Sequence, residues 1–280
     1  MKNQRRRIES RDNTTYRAIV AIRRPRRSQK TGLIFLEGFR LCQDALESGV
    51  VAVYLLLSDS AAELPAAKSL EQQAGASVQT LILPDRLFKT LCGTQNPQGI
   101  ALVCQAPPLD QLPDPPSENG LYLVAENIQD PGNLGTMIRT ADAFAFDAVI
   151  LTEGTVYPFN DKVIRAAMGS CFHLPLGCFS DIKAVAAWFR TADRPGTLLA
   201  SDPLATEYLP FDLRLPAALI IGNEARGLSH EARAICRKRV AIAMPGRAES
   251  LNAAAAAAVL CHDLMQYRIG LNIDSNLQNE

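Results

Sequence analysis

Apolar residues along this chain gather in short runs closed by Gly, Pro, Asn or Asp, the pattern of buried strands alternating with amphipathic helices. Residues 33–47 read as a strand running into a helix, 51–57 and 78–83 as buried strands, and 84–91 as a short helix. Residues 100–104 read as another strand after the turn-prone Asn96-Pro97-Gln98-Gly99. Five prolines, Pro107, Pro108, Pro113, Pro115 and Pro116, then exclude a helix or central strand, so 107–119 reads as a semi-rigid linker. Beyond it the alternation resumes, with strands expected at 121–125, 148–151, 197–201, 217–221 and 240–243. Helices are expected at 134–146, 161–169, 181–191, 229–237 and 250–267. The fold class is therefore α/β, with a smaller domain at 31–106 and a larger one at 120–270 whose mostly parallel sheet is covered on both faces. A basic arm at 1–30 and a polar tail at 271–280 complete the expected organisation.

Composition sharpens this picture little until it is divided. The 280 residues are 48% apolar with zero formal charge, which supplies a core and excludes wholesale disorder. No apolar run reaches the roughly 18 residues of a membrane span, and the first residues lack the apolar core of a secretory signal, so the protein is expected in the cytoplasm without a membrane partner. Seven scattered cysteines, none in a C-x-x-C pair, read as buried free thiols rather than as disulfides or a zinc site. The neutral total conceals an asymmetry: residues 1–30 hold eleven basic side chains against Glu9 and Asp12, a net charge of +9, and the remainder carries −9. Such a cluster suits phosphate contact, although a merely solvated N-terminus fits it too.

Candidate chemistry lies at strand ends, where sheets of this kind bind ligands. After the 121–125 run come Glu126, Asn127, Asp130, Pro131 and Asn133, with Asn133 a possible helix cap and Arg139 in the helix that follows. Residues 165–170 (Arg-Ala-Ala-Met-Gly-Ser) close another helix on a glycine. After 217–221 comes Gly222-Asn223-Glu224-Ala225-Arg226-Gly227-Leu228, then Ile242-Ala243-Met244-Pro245-Gly246, then Glu249-Ser250-Leu251-Asn252. Gly-rich and Pro-Gly turns with Ser and Asn at a helix start offer backbone donors and acceptors to a small planar ligand. Neither G-x-x-x-x-G-K-[ST] nor a G-x-G-x-x-G after a strand is present, which removes weight from nucleotide and dinucleotide folds. The three histidines fall in separate segments, giving metal or Ser-His-Asp chemistry little support.

Taken in order, N-x-x-D-P-x-N-x-G-x-x-x-R-T-A (127–141), R-A-A-x-G-S (165–170), G-N-E-x-x-G-L (222–228) and E-S-L-N (249–252) resemble the motifs of the SpoU/TrmH family of S-adenosylmethionine-dependent RNA ribose 2′-O-methyltransferases. Phe35-Leu36-Glu37-Gly38-Phe39-Arg40 and Gln95-Asn96-Pro97-Gln98-Gly99-Ile100 resemble the substrate-binding domain that such enzymes carry, similar in fold to the ribosomal protein L30e group. The resemblance implies a trefoil knot in the larger domain, a homodimer with the active site near the subunit interface, and no metal. It places S-adenosylmethionine near Gly222, Asn223, Glu224, Ile242, Met244, Ser250, Leu251 and Asn252. The chain departs from the family at Ala243, where many members have Pro, which bears on loop stiffness; here Pro245 follows instead.

The implied reaction moves a sulfonium methyl group to a ribose 2′-hydroxyl, so alignment and removal of one proton are the enzyme's tasks. The resemblance assigns the hydroxyl to Arg139, with Glu126, Asn127, Ser250 and Asn252 as further catalytic candidates. A guanidinium is a poor base near neutral pH, so Arg139 is also read as an electrostatic stabiliser. Only RNA offers the acceptor hydroxyl, and the N-terminal domain favours ribosomal RNA over transfer RNA. A non-catalytic RNA-binding assembly factor of the same fold, and an unrelated α/β small-molecule enzyme, are the alternatives.

Overall fold

A computed structural model describes residues 5–191, 195–205, 213–236 and 238–277, which form two compact units: the chain up to Pro107 together with Phe159–Ile164, and Pro108–Pro158 together with the described residues from Arg165 onward. The first contains β1 (Arg5–Arg7), α1 (Thr14–Ile22), α2 (Pro25–Thr31), β2 (Leu33–Glu37), α3 (Phe39–Glu47), β3 (Ala52–Ser58), α4 (Pro65–Ala74), β4 (Gln79–Leu83), α5 (Asp85–Lys89) and β5 (Ile100–Gln105). Its five strands run in the order β1-β4-β3-β5-β2; β5 is antiparallel to both neighbours, and β1-β4 and β4-β3 pair in parallel. The two segments that carry its motifs are bound to each other. Gly38 N donates to Ile100 O at 2.9 Å, Phe39 N donates to Gln98 Oε1 at 2.8 Å, and the Glu37 carboxylate accepts from Gly93 N and Thr94 Oγ1. Gly99 has φ +76°, and a Cβ there would stand 2.4 Å from Ser58 Oγ, so no larger residue fits.

Residues 5–30, the described part of the arm expected at 1–30, are instead part of this domain. The reason is legible in their spacing: Ile8, Tyr16, Ile19 and Ile22 are buried in the same core as Leu56, Leu81 and Phe88. Asn13 caps α1 by accepting from Thr15 N and Tyr16 N, and β1 pairs with β4 from Arg5–Thr80 to Arg7–Ile82. The basic residues here belong in part to an edge strand, β1, and to α1, whose Tyr16, Ile19 and Ile22 face the core.

The second unit holds β6 (Leu121–Ala125), α6 (Pro131–Ala143), β7 (Ala148–Thr152), the end of α7 (Asp161–Ala167) from Arg165, a 3-10 turn (Ser170–Phe172), β8 (Leu176–Phe179), α8 (Ile182–Phe189), β9 (Thr197–Ser201), β10 (Ala217–Ile221), α9 (His230–Ile235), β11 (Lys238–Val240) and α10 (Ala253–Leu277). The strand order is β11-β9-β10-β6-β7-β8, with every pair parallel, and β6, β7 and β10 are buried along their whole length. A sheet so enclosed explains the near-continuous apolar runs.

Four local differences from the sequence expectations have physical causes. β8 was not expected: Pro175, Gly177 and Cys178 weaken its pattern, and it is held because Leu112 packs on Gly177 and Cys178 N donates to Leu109 O at 2.9 Å. The Pro-rich stretch is accordingly fixed to this unit, with Trp188 Nε1 donating to Pro113 O at 3.1 Å and Ser117 N to the Tyr122 hydroxyl at 2.8 Å. α6 starts at Pro131, with Asp130 rather than Asn133 as its cap. β11 ends at Val240, where Asp202 N donates to its carbonyl, and residues 241–252 form neither helix nor strand before α10 begins at Ala253. Arg237, at the end of the helix expected at 229–237, lies outside the described residues, as do residues 1–4 of the arm and 278–280 of the tail.

The placement of α1 predicts that Ile19→Ala, which removes a side chain 1% exposed, destabilises the first unit by about 2–5 kcal/mol in urea unfolding. An arm with no packing role would tolerate the change without measurable loss.

Candidate functional site

The loops leaving β6, β9, β10 and β11 converge at the carboxyl ends of the parallel strands. The β10 loop is the tightest. A Cβ on Gly222 would lie 2.4 Å from Gly227 C and Leu228 N, and Asn223 and Gly227 exchange both backbone hydrogen bonds, at 3.0 and 2.8 Å. Asn223 Oδ1 accepts from Ala225 N and Arg226 N, closing the turn from inside. Its Nδ2 donates to Asn127 O at 2.8 Å, while Asn127, with φ +54°, donates its own N–H to Thr152 Oγ1 at 3.1 Å. One asparagine thus joins the loops after β10 and β6.

Glu224 extends this joint to the start of α6. Its carboxylate accepts from Asn133 Nδ2 at 3.0 Å, Asp130 N at 3.1 Å and Gln129 N at 3.3 Å, where free amides and the helix dipole favour an anion. Asn133 Oδ1 in turn accepts from Asn252 Nδ2 at 2.9 Å, and Asn252 Oδ1 caps α10 by accepting from Ala254 N and Ala255 N. Residues 91 and 119 positions apart in sequence are therefore connected through the two ends of the Asn133 amide. Burial pushes the Glu224 carboxyl up, but the hydrogen bonds from Asn133 and the backbone outweigh it and hold the group below its ordinary value of 4.5.

A cleft of about 310 Å³ opens beside this joint. Gly222, Asn223, Glu224, Ile242, Met244, Ser250 and Leu251 all line it, as expected from the sequence, together with Ile221, Leu228, Ala253 and Ala256. Its character is apolar walls with backbone groups at the turns. Asn252 stands behind it as the cap of α10. Two further lining residues were not anticipated: Asp202, buried at the end of β9, and Arg233 on α9, 3.9 Å from it. An acid immediately after an apolar strand run was their available signal. Asn133 was read only as a cap; its D-P-x-N context, which places Asp at the cap and Pro at the first helical position, identifies it as a residue of the first turn instead.

The remaining candidates lie elsewhere. Glu126 is buried, and its carboxylate accepts from Ser229 Oγ at 2.5 Å and Ser229 N at 3.0 Å, so it fixes the start of α9, which Ser229 caps. Glu126 and Asn127 line a second, polar cleft of about 410 Å³ with Lys183 and Arg226. Arg139 lines neither cleft; it is exposed on α6 and forms no hydrogen bond or ion pair among the described residues. Among the described residues no group of His, Cys, Asp and Glu could hold a metal ion, and no helix is long and apolar enough to cross a membrane.

Because the Glu224 pKa is lowered in the fold, its contribution to stability is present above the unfolded value and is lost as pH falls through the folded one. Glu224→Gln is therefore expected to flatten the fall in urea stability of the second unit below about pH 4.5. An unchanged acid limb would remove Glu224 from the joint.

Comparison with known proteins adds the family. Residues 120–262 match the SpoU rRNA Methylase family, and residues 13–102 match the MRM3-like substrate binding domain. The chain is 33% identical over 264 residues to the 23S rRNA (guanosine(2553)-2′-O)-methyltransferase RlmP of Bacillus subtilis, covering 92% of this chain and 98% of that one. It is 30% identical to the 23S rRNA (uridine(2479)-2′-O)-methyltransferase of Streptomyces viridochromogenes, with 86% and 85% covered. Among solved structures it resembles the AdoMet-bound rRNA methyltransferase from Sinorhizobium meliloti, with a TM-score of 0.83, 26% identity and 95% and 99% coverage. It also resembles the SpoU methyltransferase AviRb from Streptomyces viridochromogenes in complex with AdoMet, with a TM-score of 0.83, 27% identity and 92% and 98% coverage. With motifs, fold and loop geometry in agreement, the chain belongs to the SpoU rRNA methylase family.

Proposed function

We propose that this protein transfers a methyl group from S-adenosylmethionine to a ribose 2′-hydroxyl of ribosomal RNA, reading the apolar cleft behind the Glu224–Asn133–Asn252 joint as the cofactor site. That cleft is the observation that carries the proposal. It sits at strand carboxyl ends, its walls offer Ile221, Ile242, Met244 and Leu251 to a flat apolar ring, and its turns present backbone groups to the polar edge of one. When bound, the cofactor supplies a methyl group already activated by a positive sulfonium. Gly222 lets the two arms of the β10 loop close, and Ala243 supplies the backbone carbonyl that the Pro more usual in the family would.

The chain's own residues then have to align the acceptor and take up one proton. Asn252 and Ser250 lie where α10 begins beside the cleft, placing them to orient the ribose. Glu224 has its carboxylate engaged by four donors and holds Asn133 in position, so we assign it to positioning rather than proton transfer. Glu126, engaged by Ser229, is assigned likewise. Arg139 serves to hold a phosphate and stabilise the developing alkoxide, with the proton passing to phosphate or water.

Arg139 lies away from the cleft of its own chain, and α10, whose Val259, Ile269 and Leu271 are exposed, packs on the same α6. Both features support a homodimer in which Arg139 serves the partner's cleft. The implied trefoil knot is supported by the path of 241–252, which runs from the sheet edge at β11 to an α10 packed on α6, β6 and β10.

Two experiments follow. Mapping of 2′-O-methyl sites in total RNA from cells with and without the protein is expected to show one ribosomal position lost; no altered ribose would sink the proposal. Arg139→Ala and Asn252→Ala are each expected to lose transfer, Arg139→Ala keeping cofactor binding by calorimetry. Co-refolded at equal amounts, they are expected to recover roughly a quarter of parental activity, since half the dimers are mixed and each has one complete site. No recovery would place Arg139 in its own chain's site.

A further inference from the structure

Between Asp12 and Glu37 the chain has six basic residues and no acid, and seven of the basic residues in its first 30 positions fall into two sets; of the others described, Arg17 donates to Asp12 O, and Arg6 and Arg11 are exposed outside α2. In the first set the charge is consumed internally. The Arg5 guanidinium donates to Glu71 at 2.8 and 2.9 Å, to Glu63 at 2.8 Å and to Ala62 O. Arg7 donates to Asp59 at 2.6 and 2.9 Å and to Glu9 at 3.0 Å. Arg23 lies partly buried, its Cζ 5.6 Å from the centroid of the Phe35 ring. These side chains are occupied in holding β1 and α1 to the domain.

The second set is Arg24, Arg26, Arg27 and Lys30, all exposed and with side chains that form no hydrogen bond or ion pair among the described residues. They belong to α2 and its cap. α2 is oriented by Ser28, which is buried and donates its hydroxyl to Leu33 O at 2.7 Å. At 100° per residue, Arg26 and Lys30 fall on the face opposite Ser28, one turn apart, with Arg27 beside Lys30. Like charges three and four residues apart repel, and this seven-residue helix has no acid to relieve them. A polyanion docked on this face would relieve that small repulsion.

We propose that α2, with Arg24, is the surface on which the first unit holds the phosphate backbone of the RNA, and that Arg5 and Arg7 have no part in it. This rests on the RNA methyltransferase reading and adds to it the face that is used. The exposed positions of α2 and its cap carry no large apolar side chain that could enter a bilayer, which favours RNA over an anionic membrane.

The test measures binding of the full-length protein to deproteinised ribosomal RNA across a salt series. Each phosphate contact contributes about 0.7–0.9 to the slope of log affinity against log salt. The variant R24Q/R26Q/R27Q/K30Q is expected to lower that slope by about two or more and to weaken binding at least tenfold at physiological salt. Its S-adenosylmethionine affinity and melting temperature should match the parent. R5Q/R7Q is expected to lower the melting temperature and leave the slope unchanged. The proposal is overturned if the α2 variant keeps the parental slope, if R5Q/R7Q loses slope while folded, or if the α2 variant loses binding to phosphatidylserine vesicles but not to RNA. A parent that binds RNA with the expected slope yet methylates no ribose would sink the enzymatic reading and leave this surface standing.

Discussion

Everything at the cleft depends on one amide. Asn133 gives its nitrogen to Glu224 and its oxygen to Asn252, and in doing so joins the loop after β10, the start of α6 and the start of α10. No two of those segments are neighbours in sequence. An amide suits the position because it donates at one end and accepts at the other; a carboxylate would face Glu224 with like charge, and an aliphatic side chain would leave Asn252 without its acceptor. The carboxylate of Glu224 is in turn stabilised by the free amides of a helix start, so the joint uses backbone groups that any helix must satisfy somehow.

The division of labour among acids at the site follows from what each already touches. Glu126 and Glu224 are drawn to the eye as catalytic carboxylates, yet each has its oxygens committed to donors within the fold. Neither is poised to accept a proton from substrate. A reaction whose leaving group departs without assistance needs little acid–base power, and the arrangement is consistent with a site built for alignment. The thiols nearby fit the same picture, since burial pushes the Cys236 sulfhydryl up to about 12 and keeps it from acting as a nucleophile.

Much of this was readable from the residues. Buried parallel strands announce themselves as unbroken apolar runs, and β6, β7, β9 and β10 were placed closely for that reason. The cleft residues could be named because tight turns demand Gly and Asn at fixed spacing. What escaped was decided by long-range pairing. β8 has too little apolar character to be seen without Leu112 against it, and Asn133 can be assigned its role only when residues 224 and 252 are brought beside it. The basic arm escaped for a different reason: a count of charges does not distinguish a guanidinium facing water from one facing Glu71.

The path of residues 241–252 also sets an order of events. β9, β10 and α9 precede this stretch in the chain and, with the loops after β9 and β10, supply one wall of the cleft; Ile242, Met244, Ser250 and Leu251 supply the other. During synthesis from the N-terminus the first wall exists as an exposed apolar groove before its counterpart has been made. Maturation of the catalytic unit and completion of its ligand cavity are therefore a single late step, and a chain arrested before Ile242 has a sheet but only one wall of the cavity.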